Sequence, residues 1–425
     1  MKFSTLIIIL LVIAFALRID FIFYVIYVSI GVYGWSRWAT PHALKRLHSR
    51  RIYNQYAFWD EQVPVTIELE NSSYVPLPWV RLSESVALEL KRGVSINEVF
   101  SLRHKKTLSF TYMVQARRRG YYQIGPTRIS TSDLFGMQKE LAAWIPAEHL
   151  TVYPRIIPLT QLGLPSRLPF GTVSSHQRLF EDPARPMGVR QFRSGDSLRQ
   201  INWKASAHTR NLVVKTYEPA ISLETAVLLD LHSPAYTRQN RQNYIEWSIE
   251  VAASLSAHLI EQRQAVGLMT NGIDPLTIGA GPQFDENTGR LLRQEMPNLA
   301  EKYRTYLPPV IPPRNGRYHL IKLLERLARI ESETTIPLEA WAAEATAHLS
   351  WGVTILTITP RGSEPICQTL HRLVRSGFNP VLIVTEPDSN FSLVRERARR
   401  LGFSAYHVTN IHDLDAWRRP QQVTW

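Results

Sequence analysis

Ala226-Val227-Leu228-Leu229-Asp230 is an apolar run closed by a carboxylate, Tyr244 to Gln262 repeats apolar residues at helical spacing, and Ala265-Val266-Gly267-Leu268-Met269 is apolar again. A short unbroken apolar run marks a strand buried on both faces, and the same alternation recurs downstream. Helices are expected over Tyr318 to Ile330, Leu338 to Leu349, Cys367 to Ser376 and Leu393 to Leu401, with strands at Val353 to Thr357 and Val381 to Val384. Strand alternating with helix specifies an α/β fold, a doubly wound and mainly parallel sheet covered on both faces. This domain is expected to occupy 187–425.

Working toward the N-terminus, 156–186 carries Pro158, Pro165, Pro169, Gly171 and Pro183 without periodicity and is expected to be a linker. Across 60–155 the period becomes two, as in Val63-Pro64-Val65-Thr66-Ile67-Glu68-Leu69 and Thr107-Leu108-Ser109-Phe110-Thr111-Tyr112-Met113-Val114. Breaks at Asn71-Ser72-Ser73, Lys91-Arg92-Gly93, Arg119-Gly120 and Gly125-Pro126 give the rhythm of a small antiparallel β-sandwich.

The first 36 residues hold two apolar runs, Phe3 to Leu17 and Phe21 to Trp35, separated by Arg18-Ile19-Asp20. A hairpin of two short transmembrane helices and one long tilted helix are both compatible with this pattern. The hairpin is favoured because it puts Arg18 and Asp20 at a membrane surface rather than in the hydrocarbon, where charge is costly. Lys2 and Ala14-Phe15-Ala16 also mimic an export signal, but cleavage there would leave the second run in place. Residues 37–59 form a basic juxtamembrane linker in this reading. Arg37, Lys45, Arg46, Arg50 and Arg51 lie there with no acid before Phe58, which predicts a cell-membrane protein with an N-terminal anchor and soluble domains facing the cytoplasm. The same five cations are candidate contacts for anionic lipid.

Composition narrows the classes further. With 425 residues, 44% hydrophobic and 20% charged, the chain is neither disordered nor a transporter embedded throughout its length. The single cysteine, Cys367, cannot form an intrachain disulfide. A net charge of +13 allows nucleic acid, anionic lipid or an acidic protein as partner, but five of the cations are juxtamembrane and no nucleic-acid reader motif is present, so no nucleic acid is expected.

There is no phosphate-binding glycine loop, zinc-protease helix, nucleophile elbow or paired Cys-x-x-Cys, so no catalytic residue is assigned. Gly279-Ala280-Gly281-Pro282 is only a fragment of a dinucleotide fingerprint and is expected to be a loop. His42, His48, His208 and His412 lack metal-ligand spacing, and the arginines of Arg395 to Arg400 share a helix with Leu393, Val394 and Leu401 and fit a solvated face.

The densest chemistry runs from Gly188 to Arg210. Arg190, Arg193, Arg199, Lys204, Arg210 and Lys215 stand against Asp196 and Glu218, with Phe192, Trp203 and Tyr217 interleaved, and Gly195-Asp196 is a turn dipeptide. This pattern resembles the signature of the bacterial and archaeal domain of unknown function family 58 (DUF-58), matched at Arg190, Gly195, Asp196, Arg199, Ile201, Trp203 and Lys204, with Arg210 just beyond. His208 lies where the family often has Ala-Arg directly. Arg119-Gly120-Tyr121-Tyr122, Ile124-Gly125-Pro126 and Asp133 with Phe135-Gly136 resemble the family's β-rich region.

The resemblance implies a von Willebrand factor A-like sheet, with a magnesium site above its first strand, and a partner of the MoxR-type AAA+ ATPase class, hence a membrane-anchored binding or scaffold protein in assembly or maturation of clients. The metal motif, Asp-x-Ser-x-Ser, is degenerate here. Asp230 is followed by His232 and Pro234 at the ligand positions, and Thr357-Ile358-Thr359-Pro360 lacks the later carboxylate, so no cofactor is expected, Mg²⁺ is disfavoured and Asp230 is a weak candidate ligand.

The basic signature admits two roles, an ion-pair framework or a docking surface. A framework is favoured, because arginine and tryptophan around a Gly-Asp turn can lock a domain edge. The alternative functional class is a hydrolase using Asp196 with His208, or Asp230, which requires a carboxylate within reach of His208.

Overall fold

The computed structural model describes residues 3–17, 20–87, 90, 96–133, 139–159, 181–192, 201–219, 224–277 and 307–416. The chain divides into two compact units, one built on the described residues of Met1–Arg155, Pro275–Asn298 and Leu324–Ile330, the other on those of Ile156–Asp274, Leu299–Leu323 and Glu331–Trp425.

The first unit opens with helices α1 (Phe3–Leu17) and α2 (Asp20–Lys45). Among the described residues no helix is long and apolar enough to cross a membrane. Helix α2 continues past the apolar run through Pro41 to Lys45, and β1 (Leu47–Ile52) follows at once, where a linker was expected over 37–59. On both helices large apolar side chains stand exposed, including Ile8, Val12, Phe15, Phe21, Tyr27 and Val28.

Strands β2 (Tyr56–Ala57), β3 (Gln62–Asn71), β4 (Leu77–Val86), β5 (Ile96–Leu102), β6 (Thr107–Gln115), β7 (Gly120–Thr131), β8 (Leu141–Ile145) and β9 (Glu148–Val152) complete a sandwich. One sheet has the order β1-β3-β6, the other β2-β9-β7-β4-β5 with β8 also on β7. The period-two reading holds along β3, where Val63, Val65, Ile67 and Leu69 are buried between more exposed neighbours. They pack against Leu82, Tyr122, Ile124, Ile129 and Leu150 of the facing sheet. Each side chain so buried contributes about 1.5–3 kcal/mol. The ladders are antiparallel except for β2 on β9, which is parallel.

In the second unit, β10 (Glu181–Gln191) begins inside the stretch expected as a linker and pairs antiparallel with β11 (Val213–Pro219), with α3 (Trp203–Thr209) between them in sequence. Then come β12 (Glu224–Leu229), α4 (Arg241–Glu261), β13 (Ala265–Thr270), β14 (Ile311–Arg314), α5 (Arg317–Arg329, whose end from Leu324 belongs to the first unit), α6 (Leu338–Thr346), β15 (Thr354–Thr359), α7 (Glu364–Arg375), β16 (Asn379–Val384), α8 (Phe391–Leu401), β17 (Ser404–His407) and the short α9 (Asp413–Ala416).

The central sheet has the order β14-β13-β12-β15-β16-β17 and is parallel except at β14. Ala226 and Leu228 point into a core with Trp341 of α6, Leu370 of α7 and Ala398 of α8, and helix α4 packs on β12, β13 and β15. Both faces are therefore covered, as the apolar runs required. Gly267 lets β14 approach, since a Cβ there would stand 2.8 Å from the Ile311 carbonyl oxygen. Pro312 and Pro313 confine β14 to the edge, because proline has no N–H for a second neighbour.

Candidate functional site

From β12 the chain winds to β13 on one side, and from β15 to β16 on the other. A crevice opens at the carboxyl ends of such diverging strands, the customary ligand position in doubly wound sheets. Asp230 sits at that point and is 1% exposed. Its Oδ1 accepts from Asn271 Nδ2 at 2.8 Å and from the His232 amide at 3.1 Å, and its Oδ2 accepts from Thr359 Oγ1 at 3.1 Å. Asn271 is itself fixed, accepting from the Leu231 amide and donating to the Ile336 carbonyl. Burial pushes the Asp230 carboxyl above its ordinary range, against the hydrogen bonds that favour its charge.

The residues present do not fit Mg²⁺. Asp230 is latched by three protein donors, the neighbouring positions offer imidazole and a proline ring, and the loop after β15 supplies Arg361, a cation. Among the described residues no group of three His, Cys, Asp or Glu side chains could hold a metal. Around Asp230 a polar network ties the loops together. Tyr236 Oη donates to the Asp230 carbonyl at 2.7 Å and lies 3.1 Å from Ser248 Oγ, which in turn lies 2.7 Å from Thr385 Oγ1. Glu386, almost fully buried, accepts from the Thr237 amide at 2.7 Å, from Thr237 Oγ1 at 2.6 Å and from Arg361 Nε at 3.1 Å.

The signature segment separates into buried supports and exposed groups. Ile201 is buried and bridges to Val214, Asn202 Oδ1 caps α3 by accepting from the Ala205 amide at 3.2 Å, and buried Ser206 Oγ accepts from the Val213 amide at 2.9 Å. These three hold α3 against β11. Trp203, by contrast, is 68% exposed, and Lys204, His208 and Arg210 are exposed beside it on α3 and its C-cap. Arg190, partly exposed on β10, donates to the Gln191 carbonyl. Gly195, Asp196 and Arg199 lie outside the described residues. The Gly-Asp turn and Arg199 on which an ion-pair framework depends thus fall outside the description, while among the described residues the supports of α3 carry no charge. Asn202 ahead of a short helix was a readable N-cap; Ser206 gave no comparable signal.

His208 makes no side-chain hydrogen bond with a carboxylate among the described residues, and Asp196, its expected partner, lies outside them. Of the five candidate lipid contacts, Arg37, Lys45, Arg46 and Arg50 are exposed, Arg50 in a bridge of 2.6 Å to Glu68. Arg51 is not at any surface. Its buried guanidinium donates to Glu84 at 2.9 Å, Thr127 Oγ1 at 2.7 Å and the Pro146 carbonyl at 3.0 Å. A Cβ at position 125 would run into that guanidinium, so Gly125 of the resemblance motif makes room for it. Arg119 of the same motif donates from Nη1 to the carbonyls of Leu327, Ala328 and Ile330, a cation at the negative end of α5.

Residues 188–295 match the family described as protein of unknown function DUF58. "Uncharacterized protein YeaD" of Bacillus subtilis (strain 168) is 21% identical over 225 residues, covering 50% of this chain and 52% of that protein, so the match spans about half the length of the curated relative. Among solved structures, a CARDB domain from Pyrococcus furiosus overlays 25% of this chain and 91% of its own at 15% identity and a TM-score of 0.20. An Escherichia coli α-2-macroglobulin fragment overlays 27% of this chain and 20% of its own at 12% identity and a TM-score of 0.22. Scores this low carry no argument about fold.

Proposed function

We propose that this chain is a membrane-attached binding protein with a von Willebrand factor A-like domain, which docks a MoxR-type AAA+ ATPase through the exposed face of its signature segment, on the cytoplasmic side. The observation that carries the reading is Trp203. A large indole 68% exposed on a short helix whose C-cap is the exposed Arg210 presents two residue types enriched at interface centres. Ile201, Asn202 and Ser206 hold that face from behind, which supplies the rigidity a docking surface needs.

Two further features support the remaining parts of the reading. The strand order with an antiparallel strand next to the second strand is compatible with an A-like domain, and the exposed apolar side chains of α1 and α2 need a cover that lipid would supply. Exposed Arg37, Lys45 and Arg46 would then lie near anionic headgroups.

The test is recovery of the ATPase with the tagged full-length chain from native membranes, before and after Trp203→Ala. A central indole of this kind is worth about 2 kcal/mol, a loss of about thirtyfold in affinity, at unchanged melting temperature. Equal recovery by the variant, or no ATPase with either protein, refutes the reading.

A further inference from the structure

Helix α4 begins with an electrostatic contradiction. Its first turn carries no acid, and Asn240 makes no side-chain cap, so the positive end of a 21-residue helix meets another cation, Arg241. Arg241 is partly buried, its Nη1 donates to Ser233 Oγ at 3.1 Å, and its Nε is buried with no partner. Among the described residues no carboxylate pairs with it. The buried acids at this end of the sheet are already taken, Asp230 by Asn271, His232 and Thr359, Glu386 by Thr237 and Arg361, and Asp274 by a partner of its own.

Two more observations concern the same end of the sheet. Arg361 also grips it, donating from Nη2 to Thr237 Oγ1, and with Nε on Glu386 the guanidinium is held rigid while its side chain stays 54% exposed. Two guanidiniums thus anchor one short segment, Ser233 to Thr237. Thr335, 93% buried by its 7% exposure, has an Oγ1 without a partner. His232, at the head of the loop, is tied by its ring to the Thr335 backbone, which places Thr335 beside it. Nε of arginine and a threonine hydroxyl can both donate, and buried donors left open in a native fold call for an acceptor.

We infer that the crevice at the carboxyl ends of β12, β15 and β16 is an oxyanion-binding site, with Arg241 and Arg361 as its cations and a carboxylate or phosphate group as its ligand. The anion relieves the clash between Arg241 and the helix end, and it meets a guanidinium where an A-like domain would present a metal. The inference does not rest on docking at Trp203.

The full-length chain in detergent is titrated with sodium phosphate and, separately, sodium acetate, with chloride holding ionic strength constant, and binding is read by calorimetry and by the rise in melting temperature. Saturable binding of either anion supports the site, phosphate preference pointing to a phosphate ester and acetate preference to an acidic side chain. Arg241→Gln should weaken it about tenfold, the scale of one charged hydrogen bond, and Arg361→Lys should weaken it less. Arg241 holds only a surface loop through Ser233, so its variant folds; Arg361→Gln is avoided because it would strand buried Glu386. Arg375→Gln, an exposed cation on α7, should bind as wild type. No saturable binding of either anion, wild-type affinity in Arg241→Gln, or an equal loss in Arg375→Gln overturns the inference.

Discussion

Arg50 and Arg51 are neighbours in sequence with opposite fates, because successive side chains of a strand face opposite ways. One meets solvent and Glu68; the other enters the sandwich to meet Glu84, Thr127 and Pro146. Burial pushes the Glu84 carboxyl upward, so its charge depends on that guanidinium. Arg51→Met should therefore cost about 3–5 kcal/mol in urea unfolding, and Arg51→Met with Glu84→Leu should recover most of it, since an apolar pair removes the stranded charge. Equal loss in single and double variants would mean that packing, not the ion pair, sets the cost. The sequence could not reveal this pair, because the acid lies 33 residues away and a basic cluster after an apolar run reads as a membrane flank. Arg241 was equally silent: only the loop that folds beneath it makes it unusual. Asp230 was legible as a strand-end carboxylate, and the mismatch of His232 and Pro234 with a metal site was legible too.

Elements were legible where periodicity is strong. The helices expected at Tyr244 to Gln262 and Leu393 to Leu401 form as Arg241–Glu261 and Phe391–Leu401, and the apolar run at Ala226 to Asp230 forms β12. Strands β10 and β14 escaped notice because each contains two prolines, which in sequence signal a break. Tertiary pairing overrides that signal where an edge tolerates a missing N–H. Strand β14 also depends on Gly267, and Gly267→Ala sets a methyl against the Ile311 carbonyl and the Pro313 ring. A destabilisation of about 1–3 kcal/mol is expected, with amide exchange rising first in Ile311–Arg314. If β14 keeps its protection while the central strands lose theirs, the close approach is not what the glycine serves.

At the scale of the whole molecule, the α/β division and the sandwich were both legible, since period two and buried runs are local signals. Where the sandwich begins was not, because β1 is recognised only by its pairing with β3. The exposed apolar residues of α1 and α2 predict that the purified chain floats with phospholipid vesicles and needs detergent to stay dispersed. Exposed Arg37, Lys45 and Arg46 should favour anionic over neutral vesicles by about 1 kcal/mol each at low salt. Co-sedimentation indifferent to lipid charge would remove these cations from any role at the surface. The order of the central sheet also has a consequence during synthesis. Strand β12 sits in the middle, and Thr225 pairs with Thr354, 129 residues later. At about 5–20 residues per second, a ribosome needs roughly 6–26 s to make the missing neighbour. For that interval the nascent β12 has one edge unpaired, which makes it an early client for whatever shields unfinished chains in the cell.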